Sequence, residues 1–154
     1  MRTCLNRDLR QSAGASAKTY YLAARSVIDA TLRPYDLGST QWYVLWRLVH
    51  DGPLAQRELL SMLQVEKATL SGVVAALVRK RLVKQAVDLR DQRQKLLSLT
   101  PAGRALWAKM PDPIALIVKA AFEGVAEDDL ATVARVLSLG AERLNALLDK
   151  EKTS

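Results

Sequence analysis

One stretch limits the folds open to this 154-residue chain more than any other: DLRDQRQKLLSLTPAG, Asp88 to Gly103. It follows a short apolar run, Leu82 to Val87, and it ends in Thr100-Pro101. Asp88 to Gln94 is polar and carries both charges, as a turn does, and Lys95 to Leu99 reads as a second short strand. Thr100 has the side-chain oxygen that an N-cap needs. Pro101 is tolerated at the first helical position because the N–H it lacks would be unpaired there anyway. The order is strand, basic turn, strand, helix. Any fold of this chain must therefore hold a projecting hairpin just ahead of a helix. Arg90 and Arg93 sit on that turn, from which guanidinium groups can reach phosphates or a minor groove.

The residues just before the hairpin narrow the choice. Pro53 to Leu63 reads as a short helix with Leu59, Leu60 and Leu63 on its apolar side, and Gln64-Val65 is a tight link. Glu66 to Lys80 reads as a second helix, whose buried stripe would be Leu70, Val73, Val74 and Leu77 at the three-and-four spacing of an amphipathic helix. Two short helices across a brief turn, followed by a hairpin, make a winged helix-turn-helix. The expected fold is mainly α with a small β-hairpin wing. It forms one domain over 1–154, with the winged lobe at 53–100 and dimerisation helices at 1–35 and 101–154.

Charge supports that placement. The net charge is +7, and residues 52–100 hold nine basic and four acidic side chains, while residues 101–154 hold seven and eight. The positive excess coincides with the winged pattern, which is the electrostatic footprint of a polyanion binder. No apolar run is long enough to span a bilayer, and no signal-peptide core is visible, so the cytoplasm is the expected compartment. One cysteine, Cys4, and one histidine, His50, exclude an intrachain disulfide and make a metal centre unexpected. No phosphate loop or nucleophile motif points to an enzyme, and no cofactor is expected.

Outside the winged segment the chain reads as helices. Residues 1–15 are polar and are expected to fray, and Ala17 to Leu32 forms a helix with Tyr20, Ala24, Val27, Ile28 and Leu32 apolar. Thr40 to His50 is a second helix. Pro101 to Met110 starts another that Pro111 and Pro113 must interrupt, with Asp112 placed to cap the restart. A last helix, Glu127 to Lys150, carries Leu130, Val133, Leu137, Ala141, Leu144 and Leu148 on one stripe. These outer stripes need partners. A second copy of the chain is the simplest one, and a twofold dimer would match a palindromic duplex. Folding back as ordinary core is the alternative.

The pattern resembles the MarR family of bacterial transcription regulators. The residues that carry the likeness are Gln41-Trp42 with Leu45 and Leu48, Thr69-Leu70-Ser71, Leu77 with Leu82-Val83, and Asp91, Arg93, Leu99-Thr100 and Gly103. It extends from about Tyr20 into the last helix. The resemblance implies a homodimer that binds a palindromic double-stranded operator, as a repressor, and is released by a small-molecule effector or an oxidant. A winged-helix module for protein or RNA contacts, without operator specificity, is the competing reading. It would bind duplex weakly, with no sequence preference and a steep salt dependence.

The exposed start of the second helix of the motif, with Glu66, Lys67, Thr69 and Ser71, is the surface expected to enter a major groove. Lys67 can donate to guanine or phosphate, and the hydroxyls to either. Gln56 and Arg57 would hold the backbone. On the wing, Arg90 is the candidate for groove insertion, and Asp91 and Arg93 its internal brace. The family often pairs the arginine at the position of Arg93 with an aspartate on the recognition helix, but this chain has Ala75 there. It also has Arg81 where the family usually ends that helix with glycine, so the turn is expected to differ.

The effector site is expected where the outer helices meet the winged lobe. Thr40 and Trp42 match residue types that contact ligand in salicylate-binding relatives, and Trp46 stands where such relatives have histidine. Arg25 enters by charge and location. It could pair with the carboxylate of a small aromatic carboxylate effector while the indoles cover the ring. A tryptophan pair at helical spacing is alternatively core, and Arg25 a structural ion pair. Cys4 does not match the sensor position of redox members of the family, which falls near Gly14, so it reads as an incidental thiol.

Overall fold

The computed structural model describes every residue except positions 1, 88, 90, 92, 93, 153 and 154, and only the backbone at 2–7, 9 and 150–152. Arg90, Arg93 and Asp88, expected on the wing, and the thiol of Cys4 therefore lie outside the described residues. The chain divides into two compact units, Met1–Ile114 and Ala115–Ser154. The first holds α1 (Arg2–Leu32), α2 (Ser39–His50), β1 (Leu54–Ala55), α3 (Gln56–Leu63), α4 (Lys67–Arg79), β2 (Val83–Val87), β3 (Lys95–Leu99), α5 (Pro101–Lys109) and the start of α6 (Pro113–Phe122). The second holds the rest of α6, and α7 (Glu127–Lys152).

Two boundaries differ from expectation. The first helix starts at Arg2, not Ala17. Residues 2–16 contain no proline, and Ser12, Gly14 and Ser16 each cost a helix about 1 kcal/mol or less, too little to end it. The second difference is at Pro53 to Ala55, which is not helical. Leu54 and Ala55 are buried and pair antiparallel with β3, opposite Leu97 and Leu96. The wing is thus part of a three-stranded sheet in the order β1-β3-β2. Glu58 Oε2 accepts the Ala55 N–H at 2.7 Å, and this bond marks where extended chain becomes α3.

The turn between α1 and α2 is short and tied down by hydrogen bonds. Asp36 takes the left-handed conformation (φ 54°), and Asp29 of α1 accepts the Ser39 N–H at 2.9 Å, closing the start of α2. Gly38 has no side chain to cap with, so Gln41 reaches back to its N–H at 3.2 Å. The core of the first unit then forms where α2, α4 and the sheet meet. Leu32, Leu45, Leu59, Leu70, Leu77 and Leu97 are all but inaccessible. The predicted stripe of α4 holds for Leu70, Val74 and Leu77, while Val73 is half-buried.

Helix α4 ends in a Schellman turn. The Leu82 N–H bonds to the Leu77 carbonyl at 3.0 Å and the Arg81 N–H to the Val78 carbonyl at 2.9 Å. Arg81 itself has φ 59°, so arginine occupies the left-handed position, and the turn keeps its form despite lacking glycine. Thr100 caps α5 as expected. Its Oγ1 accepts from the Gly103 N–H at 3.0 Å and donates to the Arg81 carbonyl at 2.6 Å. Gly103 is required by proximity: a Cβ there would stand 2.1 Å from the Leu82 carbonyl oxygen. Asp112 caps the restart at α6, accepting the Ile114 N–H at 2.8 Å. In the second unit, Glu127, Asp128 and Asp129 complement the N-terminal dipole of α7.

Candidate functional site

Lys67, Thr69 and Ser71 lie in the first turns of α4 with exposed side chains, as the sequence predicts for a reading helix. Glu66 is the N-cap residue but makes no side-chain cap bond, in keeping with its weak capping chemistry. Gln56 does more than hold the backbone. Its amide donates to Ser71 Oγ at 3.3 Å and accepts from Gln85 Nε2 at 3.2 Å, so one side chain ties α3, α4 and wing strand β2 together. Arg57 is exposed beside it. Opposite the buried stripe, α4 presents Ala68, Gly72 and Ala75, all exposed. That small-residue face follows from the burial of Leu70, Val74 and Leu77, since side chains about half a turn away point outward. At the far end of α4, Lys80 pairs with Asp36 Oδ2 at 3.0 Å and also donates to the Asp36 carbonyl, anchoring the helix to the α1–α2 turn.

The residues expected at the effector site separate into two cavities on different sides of α2. Arg25 and Thr40 line one of about 430 Å³, together with Tyr43 and Ser39 and, from the helix-turn-helix, Met62 and Thr69. Thr69, expected at DNA, therefore stands at the edge of this cavity. Arg25 Nε lies 4.0 Å from Asp29 Oδ2, the outer limit of an ion pair, and the side chain is about half exposed. Burial, and then the neighbouring Tyr21 and Tyr20, push the Tyr43 hydroxyl above its usual range, so it remains a neutral donor at physiological pH. Tyr43 was not among the expected residues. Its position three residues after Thr40, on the same helical face, is the signal that would have found it.

Trp42 and Trp46 do not join that cavity. They line a second one of about 230 Å³, with His50, Trp107, Met110 and Asp112. The reason is helical geometry: positions 42, 46 and 50 share a face, whereas residues 40 and 42 project about 200° apart. Trp42 is buried and packs against Trp107 with ring centroids 5.6 Å apart, and Trp46 stacks on His50 at 4.3 Å. Among the described residues no group of His, Cys, Asp and Glu is placed to hold a metal ion, and no helix is long and apolar enough to cross a membrane.

A helix-turn-helix followed by a three-stranded winged sheet defines a winged-helix protein. Within that class the chain is similar to the MarR family, whose model matches residues 35–94. It is 29% identical over 99 residues to the HTH-type transcriptional repressor NicR of Pseudomonas putida, a match covering 64% of this chain and 63% of NicR. The chain thus spans a little under two thirds of that relative's length. Among solved structures, BpsR of Bordetella bronchiseptica, whose DNA binding is regulated by 6-hydroxynicotinic acid, has the same fold. The TM-score is 0.73 at 24% identity, over 84% of this chain and 98% of that one. A MarR transcriptional regulator from Methanosarcina mazei matches with TM-score 0.75 at 22% identity, over 89% of this chain and 99% of that one.

Proposed function

We propose that this protein is a cytoplasmic transcriptional repressor. In this reading it binds a palindromic double-stranded operator as a homodimer and is released by a small aromatic carboxylate. The observation that carries it is the exposed amino end of α4, with Lys67 and Ser71 exposed and Gln56 bonded across to wing strand β2. A helix presented this way can enter a major groove while the wing follows the adjacent backbone. The positive excess of residues 52–100 supports it. Arg90 and Arg93 are proposed as wing contacts on their sequence position alone.

The homodimer rests on the exposed apolar stripes of the outer helices: Val133, Leu137, Leu144 and Leu148 of α7, and Tyr20 and Val27 of α1. The effector rests on the Arg25–Thr40–Tyr43 cavity, which offers one cation and two hydroxyl donors over an apolar floor, the donor set a carboxylate needs. BpsR responds to an aromatic carboxylate of that kind. Thr69 lies on both the cavity and the reading helix, so a ligand there can favour a different setting of α4. It releases DNA only if it binds that setting more tightly.

Selection of bound fragments from genomic DNA, followed by mobility shifts on the recovered sequence, tests the reading. A palindromic consensus is expected. Lys67→Ala should weaken binding to it, and loss of a phosphate contact should lower the salt slope by about one unit per contact. Recovery of unrelated fragments with uniform affinity would favour the interaction-module reading instead. Adding benzoate or hydroxynicotinate should release the operator, and Arg25→Ala should blunt that response.

A further inference from the structure

A polar side chain stands where the sheet register calls for an inward one. In β2, Gln85 pairs with Leu97 of β3, and Leu97 pairs on its other edge with Leu54 of β1. Residues opposite one another across antiparallel strands share a face of the sheet. Leu54 and Leu97 are buried, so Gln85 lies on the face that covers the helices, on the edge strand of that row. There its Nε2 donates to Oε1 of Gln56, the first residue of α3, at 3.2 Å. Gln56 is half-buried and reaches the exposed Ser71 Oγ of α4 at 3.3 Å. Among the described residues no other side-chain hydrogen bond and no ion pair joins β2 or β3 to α3 or α4.

We propose that Gln85 is a positioning residue for operator recognition, fixing through Gln56 the Ser71 hydroxyl that α4 offers to the major groove. The inference rests on the operator reading above. A serine hydroxyl left to itself samples three staggered positions, with its donor and acceptor capacity spread over them. The bond from Gln56 selects one of these, so the group enters the groove already placed and loses less freedom on binding. Gln56 is itself a long, flexible amide, and Gln85 holds its far end. The wing strand thus sets a reading group without touching a base. Both links are neutral, so this coupling is far less sensitive to salt than phosphate contacts are.

The test uses the full chain and the operator recovered by selection. Gln85→Met keeps the length of the side chain, adds no charge and removes the amide. It should weaken the operator complex about three- to tenfold. Affinity for unrelated duplex, the salt slope and the melting temperature of the free protein should not change. Ser71→Ala should give a loss of similar size and relax base preference at one position of each half-site, and Gln85→Met should relax the same position. The double variant should lose no more than Ser71→Ala alone, because Gln85 acts through that hydroxyl. Wild-type operator affinity in Gln85→Met, losses that add in the double variant, or an equal loss on unrelated duplex would each overturn the proposal. The last would make Gln85 a direct phosphate contact. A wild-type chain that prefers no recovered sequence defeats the operator reading, and this inference with it, before any variant is compared.

Discussion

Helices α4 and α7 carry apolar stripes of the same period and very different burial. In α4, Leu70, Val74 and Leu77 are at most 3% exposed, held against α2 and the sheet. In α7, Val133, Leu144 and Leu148 are 55%, 65% and 55% exposed within their own chain. Periodicity reports that a helix has a sticky side. Which surface covers that side depends on what the rest of the chain brings to it. In the winged lobe, short links on either side of α4 force the covering surface into the same chain. Helix α7 has no such neighbours in its own unit beyond the end of α6.

The widest separation between the two helices should come from truncating one leucine in each. Leu77→Ala is expected to cost about 2–5 kcal/mol at every protein concentration, because a fully buried side chain leaves a cavity. Leu144→Ala should cost the lobe less than about 1 kcal/mol and instead make the melting temperature and sedimentation depend more steeply on concentration, as a weakened dimer does. Urea melts of both variants at two well-separated concentrations check this. If Leu144→Ala melts like Leu77→Ala at both, α7 is packed within its own chain, and the contrast fails.

A second substitution asks how tightly the lobe is determined. Alanine in an exposed helix normally gains about 1 kcal/mol over glycine. At Gly103 the added Cβ would meet the Leu82 carbonyl oxygen at 2.1 Å and the Leu99 side chain at 3.1 Å. The backbone of α5 would have to move away from β2 and β3. Gly103→Ala is therefore expected to reverse sign and destabilise by about 1–3 kcal/mol. A stabilised variant in thermal melts would mean that the lobe yields here and that α5 is loosely docked.

Where local chemistry decided the structure, the sequence was enough. Thr100-Pro101 announced the cap and start of α5, Asp112 the restart at α6, and the three-and-four spacing of α4 its buried side. What stayed hidden was decided at a distance. Nothing local to Leu54-Ala55 says strand, because their partner Leu96-Leu97 lies some forty residues on. The Gln85–Gln56–Ser71 connection likewise joins three elements that no spacing rule brings together. The grouping of Thr40 with Trp42 was a different failure. Their opposite projection was readable from the helical period, but a match of residue types outweighed it.

The smallest expected effect concerns the turn that launches the wing. Arg81 holds φ 59° as the residue after the helix cap, with its N–H and that of Leu82 bonded back to Val78 and Leu77. A side chain in that conformation brings its Cβ against the backbone at a cost of about 1–2 kcal/mol, which glycine avoids. Glycine in turn loses more freedom on folding, by about 0.5–1 kcal/mol, so about half of the gain is offset. Arg81→Gly should thus stabilise the lobe by about 0.5–1 kcal/mol, raising its melting temperature by about 1–4 °C. Arg81→Asn should fall between the two, since asparagine tolerates the left-handed region better than arginine does. The Thr100 hydroxyl meets residue 81 through its backbone carbonyl, which both substitutions keep, so neither disturbs the cap of α5. If Arg81→Gly instead lowers the melting temperature while Arg81→Asn leaves it unchanged, the arginine side chain contributes a stabilising contact that outweighs its backbone strain.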